Sequence, residues 1–116
     1  MKYMLLVCWD AERMDVQTKP DPTDIADEES FPWLDDGRAR GNWIAGDQLA
    51  PPRQARSVSV RDGKAIVTDG PFAETKEALG GFDIIECRNL EEAVEIAAGH
   101  PVAQTGTIEV RPLWGN

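Results

Sequence analysis

The dipeptide Asp62-Gly63 constrains this chain more than any other feature. A two-residue type I′ turn needs φ > 0 at both central positions, and Asp-Gly is one of the few pairs that accept it. A turn at this point sets a register in which Arg61 faces Lys64, Val60 faces Ala65 and Val58 faces Val67. Val58, Val60, Ala65 and Val67 then share one face of a hairpin, and Ser57, Ser59 and Ile66 the other. The pattern predicts a half-buried hairpin with its valine face on the core.

The hairpin runs into Asp69-Gly70-Pro71-Phe72. Pro71 has no backbone N–H and biases Gly70 toward extended geometry. Gly70 lets another group approach the backbone closely, and Asp69 can accept from neighbouring amides in an Asx-type turn. Phe72 is expected to plug into the core. A charged segment follows (Glu74, Lys76, Glu77), and Gly80-Gly81 is expected to close it before the next strand. Two readings stand side by side: a rigid turn that re-aims the chain, or a site with a fixed carboxylate at Asp69 and Glu74 and Lys76 nearby.

The remaining elements follow from periodicity. Residues 3–9 form a nearly continuous apolar run, expected for a central strand buried on both faces. Residues 10–29 are polar and acidic and read as a long loop with one short helical turn at 24–28. Their acidic cluster (Asp21, Asp24, Asp27, Glu28, Glu29) reads as a solvated surface, with cation binding as the sharper alternative. Ser30 is the expected N-cap of a helix with Pro32 in its first turn, Trp33 and Leu34 inward and its end near Gly41. A second strand starts at Trp43 and is closed by Pro51-Pro52; a third is expected over residues 82–87. Asn89 caps a second helix, with Leu90, Ala93, Val94 and Ala97 on its inner face, Glu92 completing an approximate capping box, Gly99 at its end and Pro101 beyond. Residues 107–113 form the last strand, Ile108, Val110 and Pro112 on one face and Glu109, Arg111 and Leu113 on the other.

The order is β-α-β, hairpin, β-α-β. That is an α+β, ferredoxin-like split βαβ fold with an inserted β-hairpin. Helices on one face leave the other sheet face open, and an apolar open face marks an interface. A second copy packed face to face would close a dimeric α+β barrel. Cys8 and Cys87 fall at opposite ends of neighbouring strands, too far apart to bridge, and read as small buried hydrophobes.

With 116 residues the chain is expected to be one domain over 1–116. A net charge of −9, from 21 acidic and 12 basic residues, argues against nucleic acid and against an anionic membrane surface as partners. No run reaches the length of a membrane span, no leader pattern opens the chain, and no Cys or His spacing suggests a metal. The expectation is a cytoplasmic, reduced protein with no metal and no cofactor.

Residues 67–86, VTDGPFAETKEALGGFDIIE, resemble the signature of the DGPF group within the YCII-related family. Supporting pieces are the opening MKYMLLV, Gly41, the run AGDQLAPP at 45–52 and TIEVRP at 107–112. The resemblance covers residues 1–9 and 33–113. It implies the same fold and its pairing into a dimeric barrel, and it implies little about activity. It also marks a departure: Gly37 stands where the family has a large apolar residue, so the first helix is expected to be short, bent or shifted. Some YCII relatives outside this group pair a histidine with an aspartate as an acid–base dyad. The one histidine here, His100, lies after the second helix and away from the matching positions, and reads as a helix-end residue.

Chemistry therefore falls to Asp69, Glu74 and Lys76 as candidate acid–base groups, with Gly70, Pro71, Phe72, Glu109 and Arg111 as candidate ligand contacts. Two functions follow. One is a homodimer binding a small organic molecule in a cleft near the motif, with cofactor-free acid–base catalysis there. The other is a non-enzymatic interaction module, since the DGPF group resembles proteins encoded near extracytoplasmic-function sigma factors.

Overall fold

A computed structural model describes residues 1–12, 25–72 and 76–116, and of residues 25–31 the backbone alone. Four strands form one antiparallel sheet in the order β2-β5-β1-β6: β1 (Lys2–Asp10), β2 (Trp43–Gln48), β5 (Glu77–Glu86) and β6 (Thr107–Pro112). Helix α1 (Ile25–Ala39) precedes β2, and α2 (Leu90–Ala98) links β5 to β6. Strands β3 (Arg56–Arg61) and β4 (Lys64–Asp69) form a separate two-stranded sheet. β5 lies between β1 and β2, as the split βαβ arrangement requires, and the fold is ferredoxin-like α+β.

β1 is central because it offers an apolar residue to each face. Tyr3, Leu5 and Val7 are buried beneath the helices, and Met4, Leu6 and Cys8 are half-buried on the open face. Tyr3, Leu5 and Ile85 from the sheet meet Ala93 and Ala97 of α2, with Trp33 of α1, Trp43, Ile96, Ile108 and Val110 packed around them. Asn89 caps α2 as expected, its Oδ1 accepting from the Glu92 amide at 2.9 Å. Glu92 reaches back to the Arg88 amide at 3.3 Å, one residue outside the usual capping box.

The hairpin has the register its turn dictates, from Arg61↔Lys64 to Val58↔Val67, with Asp62 at φ 52° and Gly63 at φ 76°. Its burial departs from expectation. Val58, Val60, Ile66 and Val67 keep 63, 60, 49 and 58% of their surface, so both faces meet water. Turn chemistry sets the register within the hairpin; it does not dock the hairpin on the core.

Other boundaries also move. Ser30 lies inside α1 rather than capping it, because the helix formers Ala26, Glu28 and Glu29 extend the helix back to Ile25. Pro32 is an interior residue. The helix runs through Gly37 unbroken, where a Cβ would come within 3.2 Å of the Trp43 Cβ, so the glycine lets α1 settle on β2. Gly80-Gly81 do not stop the chain: β5 starts at Glu77 and passes through both, with Gly80 as the extra residue of a bulge between Val7 and Cys8. On α2 the buried stripe is Ala93 and Ala97 with Ile96 against it, while Leu90 and Val94 remain 46 and 51% exposed. Small residues allow the helix closest to the sheet, and that approach chooses the face. The acidic residues Asp21 and Asp24 and the side chains of Asp27, Glu28 and Glu29 lie outside the described residues.

Candidate functional site

The tetrapeptide motif closes the base of the hairpin. Asp69 ends β4, and its carboxylate sits 3.1 Å from Arg56 Nε across the strand pair, 88% exposed. Gly70 adopts φ 88°, a left-handed conformation that favours glycine. Its N–H donates to the Ala55 carbonyl at 2.8 Å, and its carbonyl accepts from Ser57 Oγ at 2.8 Å. Pro71 is exposed, and Phe72 points into solvent at 94% exposure instead of plugging the core. Lys76 is exposed, its carbonyl accepting from the Ala11 amide at the end of β1. Glu109 and Arg111 form an ion pair on the open face of β6, opposite Leu6 and Met4. Glu74 lies outside the described residues. No hydrogen bond or ion pair joins Asp69 to Lys76, Glu109 or Arg111 among the described residues.

A polar cluster that periodicity did not flag lies under the helices. Asp83 pairs with Leu5, so strand geometry turns it to the helix side. Its Oδ1 accepts from Trp43 Nε1 at 2.9 Å, and its Oδ2 lies 3.9 Å from His100 Nε2. Gly46 makes room for it: a Cβ there would come within 2.5 Å of Asp83 Oδ1 and of the Phe82 carbonyl. His100 is buried, with Nδ1 accepting from the Val102 amide at 3.1 Å at the start of the 3-10 turn Pro101–Gln104. Trp33 meets the imidazole edge-on, ring centres 4.8 Å apart, and donates its own Nε1–H to the Ile96 carbonyl at 2.8 Å.

Burial raises the Asp83 carboxyl above its ordinary range, with the Trp43 hydrogen bond and His100 pulling it back. Burial pushes the His100 imidazole down, with Asp83 opposing. With Nδ1 accepting, the neutral ring carries its proton on Nε2, toward Asp83. A further proton must enter at Nδ1 and break the Val102 bond. The arrangement therefore ties β2, β5, α1 and the 3-10 turn together. One signal could have exposed it: Asp83 is a charged residue in phase with the core residue Ile85.

Trp33 and Trp43 also floor a groove of about 580 Å3 between α1 and α2, shared with Ile85 and Ile96. Its rim carries the ion pairs Asp36–Arg40 and Arg88–Glu92, and Glu95. Arg88 holds the Glu92 carboxyl below the ordinary range. Burial raises the Cys8 thiol, helped by Glu109 and Glu77, and burial likewise raises Cys87, so neither is set up as a thiolate. Among the described residues no three His, Cys, Asp or Glu side chains group as metal ligands, and no helix is long and apolar enough to cross a membrane.

Comparison with known proteins bears on the whole chain. An uncharacterised protein of Rhizobium meliloti (strain 1021) is 47% identical over 68 residues, 57% of this chain and 55% of that protein, so the chain spans about half the length of the relative. The family model for the YCII-related domain matches residues 1–115. With a ferredoxin-like sheet along that length, the chain belongs to the YCII-related family.

Proposed function

We propose that the protein is a homodimer of the DGPF type that binds a small organic molecule in a cleft near the Asp69 motif. The two open sheet faces meet to close an α+β barrel, and the motif of one copy is walled by the other. The observation that carries this is the apolar surface left in water. Leu79 stands 43% exposed on the open sheet face with the half-buried Met4, Leu6, Phe82 and Ile84, and Phe72 of the motif is 94% exposed. Apolar residues gathered on one uncovered sheet face mark an interaction surface. Covering it would turn the exposed Asp69, Pro71 and Lys76 and the half-buried Gly70 into walls of a cleft, with Glu109 and Arg111 on the same sheet face as the interface. Chemistry in that cleft is acid–base chemistry by Asp69, Glu74 and Lys76, without a cofactor.

Sedimentation velocity tests the assembly, and a thermal-shift screen of small acids and phenols tests the site. A dimer whose melting temperature is raised by a ligand in the wild type but not in Asp69→Ala is the expected result. A dimer with no such ligand removes the cleft. A monomer removes both and moves the hairpin's apolar residues to the other reading, an interaction module for a different protein.

A further inference from the structure

The groove between α1 and α2 shares no lining residue with the motif and is independent of the proposed cleft. Its floor is aromatic and held in place. Trp43 is fixed by its hydrogen bond to Asp83 at 2.9 Å, and Trp33 by its bond to the Ile96 carbonyl at 2.8 Å and by the edge of His100. Both indole N–H groups are thereby used. The floor presents indole and aliphatic surface, and no free donor from either tryptophan.

The charges around it decide what the floor receives. Arg40 pairs with Asp36 at 3.0 Å and Arg88 with Glu92 at 2.6 Å, so two cations and two anions cancel on the rim. Glu95 lines the same groove and has no ion-pair partner among the described residues. The lining residues thus leave Glu95 as the carboxylate without an ion-pair partner, while the Arg38 cation lies against the Trp43 ring. The face of an indole attracts cations and repels anions. The Arg38 guanidinium shows the attraction, lying 4.8 Å from the Trp43 ring centre and taking up part of that ring's surface.

We propose that this groove binds a small organic amine, an aromatic or aliphatic body on the Trp33–Trp43 floor with its ammonium group at Glu95. A volume of about 580 Å3 is within the range of small-molecule sites. Preorganised indoles lower the ordering cost of binding, and the ammonium gains from both the carboxylate and the π faces.

Three probes of one shape and different charge test this: phenethylamine, 2-phenylethanol and phenylacetate, titrated to their solubility limits. The indole N–H resonances report the site, because two of the four tryptophans line it and Trp9 and Trp114 serve as internal references. Trp33→Phe identifies one of the two signals. Phenethylamine is expected to move the Trp33 and Trp43 signals and to bind several-fold more tightly than the alcohol, with phenylacetate weakest. Glu95→Gln, an exposed change that leaves the floor intact, should reduce the amine's advantage by about 3-fold. Equal affinity for amine and alcohol, or an unchanged preference in Glu95→Gln, overturns the charge assignment. No movement of either indole signal with any probe overturns the site.

Discussion

Leu5 and Val58 are both strand residues with a hydrogen-bonded neighbour, yet Leu5 is fully buried and Val58 keeps 63% of its surface. The regions around them differ in the same way. Beneath the helices, burial is so complete that even a carboxylate and an imidazole are enclosed, and no buried side-chain polar atom among the described residues lacks a partner. In the hairpin, four large apolar residues face water while its turn and register are as regular as any in the molecule. A turn shapes two strands locally; only distant contacts bury them. A two-stranded hairpin on its own is marginally stable, so this one depends on its attachment and on whatever covers it.

The contrast breaks most easily at Leu5. Leu5→Ala should cost about 2–5 kcal/mol in urea unfolding, whereas Val58→Ala should change the unfolding of a dilute monomer by less than about 0.5 kcal/mol. Comparable losses would mean the hairpin is as much core as the sheet. Trp43→Phe keeps the aromatic body and removes the donor to Asp83. It should cost about 1–3 kcal/mol and raise the Asp83 carboxyl further, since that hydrogen bond now holds it down. Titration of the Asp83 carboxyl carbon by NMR would show an unchanged midpoint if the bond did not matter.

The buried pair also carries a pH signature. Burial lowers the His100 pKa from its ordinary 6.5, so the folded protein binds that proton more weakly than the unfolded chain does. The contribution is present above the unfolded value and is lost as pH falls through it toward the folded one. Asp83 has the opposite sign. Its folded pKa is raised above 3.8, so its contribution is present below that value and is lost as pH rises through the folded pKa. His100→Asn keeps an acceptor for the Val102 amide and removes the titration. The stability advantage of wild type over this variant should narrow as pH drops from about 7.5 to about 5, by an amount set by the His100 shift. A constant difference would place the imidazole in water. The smallest effect belongs to the motif. Arg56→Ala breaks an exposed pair and should cost under about 1 kcal/mol by chemical denaturation. A larger loss would show Asp69 supporting the fold through that pair.

What was legible in the sequence follows the same division. Asp62-Gly63 and Asn89 act on backbone groups within a few residues, and both appear as read. The strand order followed from element order. The Asp83–His100 contact was not legible, because it joins a strand to a turn across a helix and depends on how α2 sits on the sheet. The same unread variable misplaced Leu90 and Val94, since hydrophobic spacing on α2 allowed two stripes and the small side chains of Ala93 and Ala97 chose between them. Side-chain type alone places Phe72 in the core, whereas it stands 94% exposed beyond the end of β4.

The bulge at Gly80 has a consequence for chain length. Val7 faces Gly81, but Cys8 faces Leu79, so one residue is skipped and every side chain of β5 before it changes side. Leu79 is thereby on the open face and Ala78 opposite Trp9. Removing residue 80 would restore straight pairing and leave Leu79 opposite Cys8 and Ala78 opposite Trp9, each on its present side. A deletion at residue 80 is for this reason not equivalent to one between residues 81 and 86: the bulge gives up a residue without turning its neighbours over, while the regularly paired strand converts the loss into a reversal of orientation.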